Sequence, residues 1–186
     1  DRNSMFVVYG STVYVSRDRG ETWTSTATIP SGSNAHSFYV SPIDTNIWMC
    51  AIESSPDKVV RSTNHGATWT TILSLNFSNY GMPLEMDQNN PSTYYYAPDG
   101  GGFWKSTDNG ASFAEISGNY PFRSPCDIIV MWDSSSVIYL ADGITGSGAA
   151  NVFKSTNGGV NWTNNVATAS SEVPCLGNSV FDRSFC

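Results

Sequence analysis

Ser16-Arg17-Asp18-Arg19-Gly20-Glu21-Thr22-Trp23 is the first of four versions of one phrase. It returns as Ser62-Thr63-Asn64-His65-Gly66-Ala67-Thr68-Trp69, as Ser106-Thr107-Asp108-Asn109-Gly110-Ala111-Ser112-Phe113, and as Ser155-Thr156-Asn157-Gly158-Gly159-Val160-Asn161-Trp162. The leading serines lie 46, 44 and 49 residues apart. A near-constant period of this size marks an array of supersecondary units. A strand-like triplet precedes each phrase, as in Val13-Tyr14-Val15 and Val59-Val60-Arg61, and an extended stretch such as Trp69 to Leu73 follows. Two strand signals around a short Asp/Asn/Gly segment predict a β-hairpin. The predicted hairpins cover 13–28, 59–74, 103–117 and 152–167.

Each residue type in the phrase has a physical role. Gly20, Gly66, Gly110 and Gly159 supply the positive φ that a Cβ would penalise. Asp18, Asn64, Asp108 and Asn157 accept hydrogen bonds from backbone N–H groups of the turn, and Ser16, Ser62, Ser106 and Ser155 add a further local bond. Trp23, Trp69, Phe113 and Trp162 fold back as apolar plugs between neighbouring units.

The phrase resembles the Asp-box, or BNR, repeat of sialidases, xyloglucan-degrading glycoside hydrolases, sortilin-type receptors and a photosystem II assembly factor. The resemblance implies an all-β fold, a β-propeller of four-stranded antiparallel blades. It implies a box at the turn between the third and fourth strands of each blade, at the periphery and away from the central ligand-binding face. The boxes are then structural, not catalytic.

The stretches between boxes fit that plan. Ser37 to Val40, Pro83 to Met86 and Ile128 to Met131 are expected inner strands. Polar turns lead from them to second strands at Ile47 to Ala51, Tyr94 to Ala97 and Val137 to Ala141. At the start of the chain Met5 to Tyr9 reads as a second strand without an inner one, and Ser179 to Cys186 at the end as an inner strand without a partner. Joined, they make one more blade. The expectation is a single domain over residues 1–186, a four-bladed propeller closed by pairing of the N- and C-terminal strands. The alternative is a segment of a larger propeller.

Composition narrows the function classes. The 186 residues carry a net charge of −7, with only 13% charged and 13% aromatic residues. With no basic cluster, a nucleic-acid surface is not expected. No apolar run reaches the roughly 20 residues that span a bilayer, so membrane insertion is not expected either. The cysteines Cys50, Cys126, Cys175 and Cys186 form no CxxC pair, and only His36 and His65 could join them, which argues against a metal site. No cofactor is expected. Cys126, Cys175 and Cys186 are disulfide candidates, and Asn76 and Asn161 head glycosylation triplets, both consistent with an extracellular or cell-surface protein.

Glycosidic chemistry would need two carboxylates across a cleft. Glu85, Asp99, Asp127, Asp142 and Asp182 lie near loops or inner strands. Asp99 and Asp142 precede glycines and read as turn residues, while Glu85 alternates with Leu84 and Met86 and can point into a central channel. A sialidase would need an arginine cluster. Arg17 and Arg19 sit inside a box, Arg61 directly precedes one, and Tyr120 to Pro125 reads as a loop around Arg123. Arg2 and Arg183 are the others. The aromatics Trp48, Tyr80, Tyr94, Tyr95, Tyr96, Phe103, Trp104 and Trp132 could stack on sugars, although most read as core between blades. The resulting expectation is a structural or glycan- or protein-binding propeller. A fragment of a secreted glycoside hydrolase of xyloglucanase or sialidase type is the alternative, and a self-associating surface or filament protein the second alternative.

Overall fold

The computed structural model describes residues 4–30, 34–117, 122–143, 150–169 and 172–179, with the backbone alone described over 164–169. Every regular element among these residues is a β-strand, and the strands form four antiparallel sheets in chain order. The first sheet is β1 (Met5–Tyr9), β2 (Thr12–Ser16) and β3 (Thr24–Thr28). The second is β4 (Ala35–Val40), β5 (Trp48–Ile52), β6 (Lys58–Ser62) and β7 (Thr70–Leu73). The third is β8 (Leu84–Met86), β9 (Tyr94–Tyr96), β10 (Trp104–Ser106) and β11 (Ala114–Glu115). The fourth is β12 (Pro125–Met131), β13 (Ser134–Asp142), β14 (Ala150–Ser155) and β15 (Thr163–Ala169).

In every sheet the box joins the third and fourth strands of the four-stranded plan. Its hydrogen bonds form a closed local circuit. In the third sheet, Ser106 Oγ donates to Asp108 Oδ1 at 2.7 Å and accepts from the Gly110 amide at 3.0 Å. Asp108 in turn accepts from the Ser112 amide at 3.0 Å and the Ser112 hydroxyl at 2.6 Å. The other boxes repeat the serine-to-glycine bond, from the amides of Gly20, Gly66 and Gly159 at 2.7, 2.9 and 2.9 Å. These glycines have φ of 97°, 78° and 91°. The box also docks on the turn between the first two strands of its own sheet: His65, Asn109 and Gly158 donate their amides to the carbonyls of Asn46, Ser92 and Ser136. These elements therefore share one end of the molecule, and the inner strands β4, β8 and β12 begin at the other.

Strand pairs that would be half-exposed in an isolated sheet are here buried on both faces, because each sheet is packed by its neighbours. Three apolar cores result. Val13, Ile29, Trp48, Cys50, Ile52 and Val60 fill the gap between the first and second sheets. Met49, Val59, Phe77, Leu84, Tyr94 and Tyr96 fill the next. Tyr95, Phe103, Phe122, Ile128, Leu140 and Phe153 fill the third. The tyrosine run shows the alternation directly: Tyr94 and Tyr96 enter one core and Tyr95 the other. This face-to-face stacking in chain order is the arrangement of propeller blades.

Two sequence expectations meet the structure differently. The strand expected at 179–186, with Asp182, Arg183 and Cys186, lies outside the described residues apart from Ser179, as do Arg2, Tyr120 and residues 144–148. The cysteine expectation is corrected where it can be seen: Cys126 is a buried free thiol, Cys175 is an exposed one, and no bond joins them. Cys126 is fixed instead by hydrogen bonds from its thiol to the carbonyls of Ser124 and Gly143. Cys50 is likewise a buried core thiol.

Candidate functional site

The inner strands meet at the end opposite the boxes, and there the polar groups concentrate. Gly81, just before β8, lies flat against β12: a Cβ on it would sit 2.5 Å from the Cys126 carbonyl oxygen. The next residue, Met82, donates its amide to that carbonyl at 2.6 Å, and Met82 pairs with Asp127 in a parallel bridge. On the other side, His36 of β4 contacts the Gly81 carbonyl through Nδ1 at 3.3 Å and approaches Glu53 through Nε2 at 3.6 Å. Its ring lies edge-on to Phe77 at 4.9 Å. Ser37 Oγ accepts from the Leu84 amide at 3.3 Å. Beside this junction Tyr80 is 76% and Met82 49% exposed, so an open aromatic side chain stands next to the inner strands.

One step further in, Tyr39, Glu85 and Asp127 form the acidic centre. The Tyr39 hydroxyl donates to Glu85 Oε2 at 2.5 Å, crossing from β4 to β8. Burial is the main cause that pushes the Glu85 carboxyl up, to about 7; the Tyr39 bond opposes it, and the charges of Asp127 and Asp87 add to it. Tyr39 is held far above the ordinary tyrosine range, first by burial and then by the Glu85 charge. Asp127 is 4% exposed and also shifted upward by burial. Both its oxygens are already bonded, Oδ1 by the Ile128 amide at 2.9 Å and Oδ2 by the Leu176 amide at 2.7 Å. Glu85 is therefore the carboxyl poised to hold or release a proton near neutral pH, while Asp127 is a fixed charge that helps set it.

The other nominated groups serve the scaffold. Asp142 accepts from the Arg123 and Ser124 amides at 3.1 and 2.7 Å, closing the loop ahead of β12. Asp99 accepts from Ser124 Oγ at 3.1 Å, tying the third sheet to the fourth. Asp57, which sequence reasoning did not single out, does the same between the second and third sheets through the Phe77 amide at 3.1 Å. Arg61 donates Nε to the Asn109 carbonyl in the next box at 2.9 Å. Arg17 and Arg19 lie exposed on the first box and Arg123 exposed ahead of β12, so the described arginines converge on no site. Asn76 and Asn161 are both exposed. Tyr94, Tyr95, Tyr96, Phe103 and Trp48 are core and present no open ring face, whereas Tyr80 and, at 36% exposure, Trp132 face solvent.

A separate cleft of about 690 Å³ opens at the box end between the first two sheets, against Phe6, Arg17, Val40, Ser41, Trp48 and His65. No carboxylate lines it. Among the described residues no three His, Cys, Asp or Glu side chains converge on a metal position, and no helix is long and apolar enough to cross a membrane.

The BNR/Asp-box repeat family matches residues 14–25, the first box and its flanks. A xyloglucanase of Hypocrea jecorina is 32% identical over 154 residues, which cover 64% of this chain and 17% of the relative. Among solved structures, a GH74 enzyme of Niastella koreensis superposes with a TM-score of 0.57 at 21% identity, covering 86% of this chain and 29% of that one. The GH74 xyloglucanase of Xanthomonas campestris superposes with a TM-score of 0.66 at 15% identity, covering 91% and 29%. The chain thus spans 17% of the sequence relative and less than a third of these solved chains. It is a BNR-type propeller that resembles xyloglucanase.

Proposed function

We propose that the chain is an arc of a glycoside-hydrolase-type propeller whose channel mouth binds a neutral plant-type polysaccharide related to xyloglucan. The observation that carries this reading is the 32% identity to a xyloglucanase over 154 residues. The geometry supports it with an exposed Tyr80 face for stacking on sugar rings beside hydrogen-bonding groups on two inner strands, β4 and β8. The arc binds and does not by itself hydrolyse. Cleavage needs two free carboxyl groups facing one bond. Here Glu85 is available, but both oxygens of Asp127 are taken by amides. Glu85 is then the one group in the arc that could donate a proton to a sugar oxygen, with its partner base supplied from outside the described residues. Action on such a polysaccharide places the protein outside the cell.

The test is calorimetric titration with xyloglucan oligosaccharides alongside a reducing-end assay. Binding should weaken about fivefold in Tyr80→Ala, the loss of roughly 1 kcal/mol of stacking. No reducing ends should appear. Absence of any binding, or binding untouched by Tyr80→Ala, would overturn the reading. Release of reducing ends that stops in Glu85→Gln would show that the arc is itself a hydrolase.

A further inference from the structure

Asn34 and Glu53 carry the β4–β5 ladder one step past its last strand pair, Ala35 with Ile52, at the end opposite the boxes. The Glu53 amide donates to the Asn34 carbonyl at 2.8 Å. The side chains repeat the pairing: Asn34 Nδ2 donates to Glu53 Oε2 at 3.0 Å, and His36 Nε2 lies 3.6 Å from the same oxygen. The bond from Asn34, and then the one from His36, hold the Glu53 carboxyl below the ordinary glutamate range, so it is ionised at neutral pH. The Glu53 side chain is 38% exposed, and among the described residues its Oε1 has no partner. One open oxygen suits a single donor such as a hydroxyl better than the two prongs of a guanidinium.

Tyr80 is held at a set place relative to that oxygen. The Gly81 amide donates to the Ser78 carbonyl at 3.0 Å and closes the turn that carries Tyr80. His36 spans the gap: Nδ1 faces the Gly81 carbonyl and Nε2 faces Glu53, so one imidazole ring separates the residue after Tyr80 from the carboxylate. A second tie runs through Asp57. Its Oδ1 accepts the Ser54 amide at 2.8 Å and its Oδ2 the Phe77 amide at 3.1 Å, joining the residue after Glu53 to the segment ahead of Tyr80. The Asp57 amide adds a bond to Asn76 Oδ1 at 3.2 Å, and the Ser54 hydroxyl closes its own loop on the Pro56 carbonyl at 2.6 Å. An open aromatic side chain and an ionised acceptor therefore stand on braced loops, and a ligand touching both has little ordering left to impose.

Given the reading of Tyr80 as a sugar-stacking face, on which this rests, we propose that Glu53 is a specificity residue beside it, accepting a hydroxyl of a neutral sugar and turning away chains that contain uronates. A sugar ring lying on Tyr80 brings hydroxyl donors to a carboxylate, and a bond to an ionised acceptor is stronger than one to a neutral group. A uronate brings a second carboxylate to a place that already holds one, in a chain whose net charge is −7. Asn34 and His36 act as positioning residues, since both hold the same oxygen and leave the other turned outward.

Calorimetric titration of the 186-residue chain with a xyloglucan oligosaccharide, an oligogalacturonate and a glucosamine oligomer of matched length, at neutral pH and low salt, tests this. The parent should bind the neutral oligosaccharide about fivefold more tightly than the oligogalacturonate, the size of one exposed like-charge contact. Glu53→Gln keeps an acceptor for Asn34 at an exposed position, so its melting temperature should match the parent. It should bind the neutral oligosaccharide about fivefold more weakly, as a bond to a charged acceptor becomes an ordinary one, and the oligogalacturonate more tightly than the parent does. Asn34→Ala loosens the carboxylate without removing its charge, so it should weaken the neutral oligosaccharide and still disfavour the oligogalacturonate. If Glu53→Gln binds both as the parent does while Tyr80→Ala weakens the neutral one, the stacking face stands and the role of Glu53 is overturned. A glucosamine oligomer bound more tightly than the neutral one, with an affinity lost in salt, overturns it as well, being the mark of a cation site. Binding of none of the three overturns the glycan reading and this role together.

Discussion

Replacing Glu85 by Gln should make the protein more stable at mildly alkaline pH and leave it unchanged at acidic pH. The carboxyl is buried, and its pKa rises from the ordinary 4.5 to about 7. A raised carboxyl pKa means that the folded state keeps a proton that the unfolded chain gives up. This group therefore disfavours folding progressively as pH rises from 4.5 to about 7. Below that window both states hold the proton and the penalty vanishes; above it the penalty is constant. At 1.36 kcal/mol per decade the full effect is ~3 kcal/mol. Glutamine keeps an acceptor oxygen for the Tyr39 hydroxyl and nearly the same volume, so the substitution removes the charge and little else. Urea unfolding of both proteins, followed by tryptophan fluorescence at several pH values between about 4.5 and 8, gives the difference in stability directly. A gap that does not change with pH, or a variant less stable than the parent near pH 8, would refute the assignment of a protonated, buried Glu85.

Four further outcomes are expected. Ser106→Ala leaves the buried Gly110 amide without its acceptor and should lower stability by ~2 kcal/mol in urea titration. Gly159→Ala puts a Cβ 2.5 Å from the Phe103 ring at φ 91° and should cost ~3 kcal/mol, whereas Gly100→Ala, at φ 60° with open space around it, should cost about 1; paired melting curves decide. Asp18 and Asp108 are held down to about 2, Asp18 by its bonds to Thr22 and Ser16, and Asp108 against burial, its largest single influence, by the combined bonds to Ser112 and Ser106. Their contribution is full above the ordinary 3.8 and fades as pH falls toward 2, so Asp108→Asn should flatten the acid limb of a pH–stability curve. Thiol labelling read by peptide mass should modify Cys175 rapidly and Cys50 only on unfolding, because burial excludes reagent and pushes the Cys50 thiol up.

The sequence carried the architecture because the architecture is local. Each box closes its hairpin with bonds between residues two to four apart, so residue type and spacing within eight positions suffice to place it. The tyrosine run was legible for the same reason, as alternation needs only its own strand. Glu85 could be suspected from its place between Leu84 and Met86, but its partner could not. Tyr39 lies 46 residues away on the neighbouring inner strand, and the one signal pointing to it is that this distance equals a repeat period. Asp127 was nominated without its restraint, since the amide that occupies Oδ2 comes from Leu176, 49 residues on in a segment with no strand pattern. Strand limits also moved: β13 begins at Ser134, three residues ahead of the expected Val137, because a register shift at Met131 lets the turn serines join the ladder. No disulfide is seen among the described cysteines. Cys126 sits inside the molecule, fixed by carbonyls, while Cys175 faces solvent.

The closed hydrogen-bond circuit of the box bears on how the chain comes apart. Each sheet is made from strands consecutive in sequence, and each core is shared only by consecutive sheets. Cooperativity in such an array passes from neighbour to neighbour and has no single centre. Any of the four hairpins can act as a starting point for folding, at a loop-closure cost far lower than all-β proteins usually carry. A lesion in one core should therefore loosen two sheets and leave the other two standing, so that heat or denaturant dismantles the molecule in stages from its weakest end.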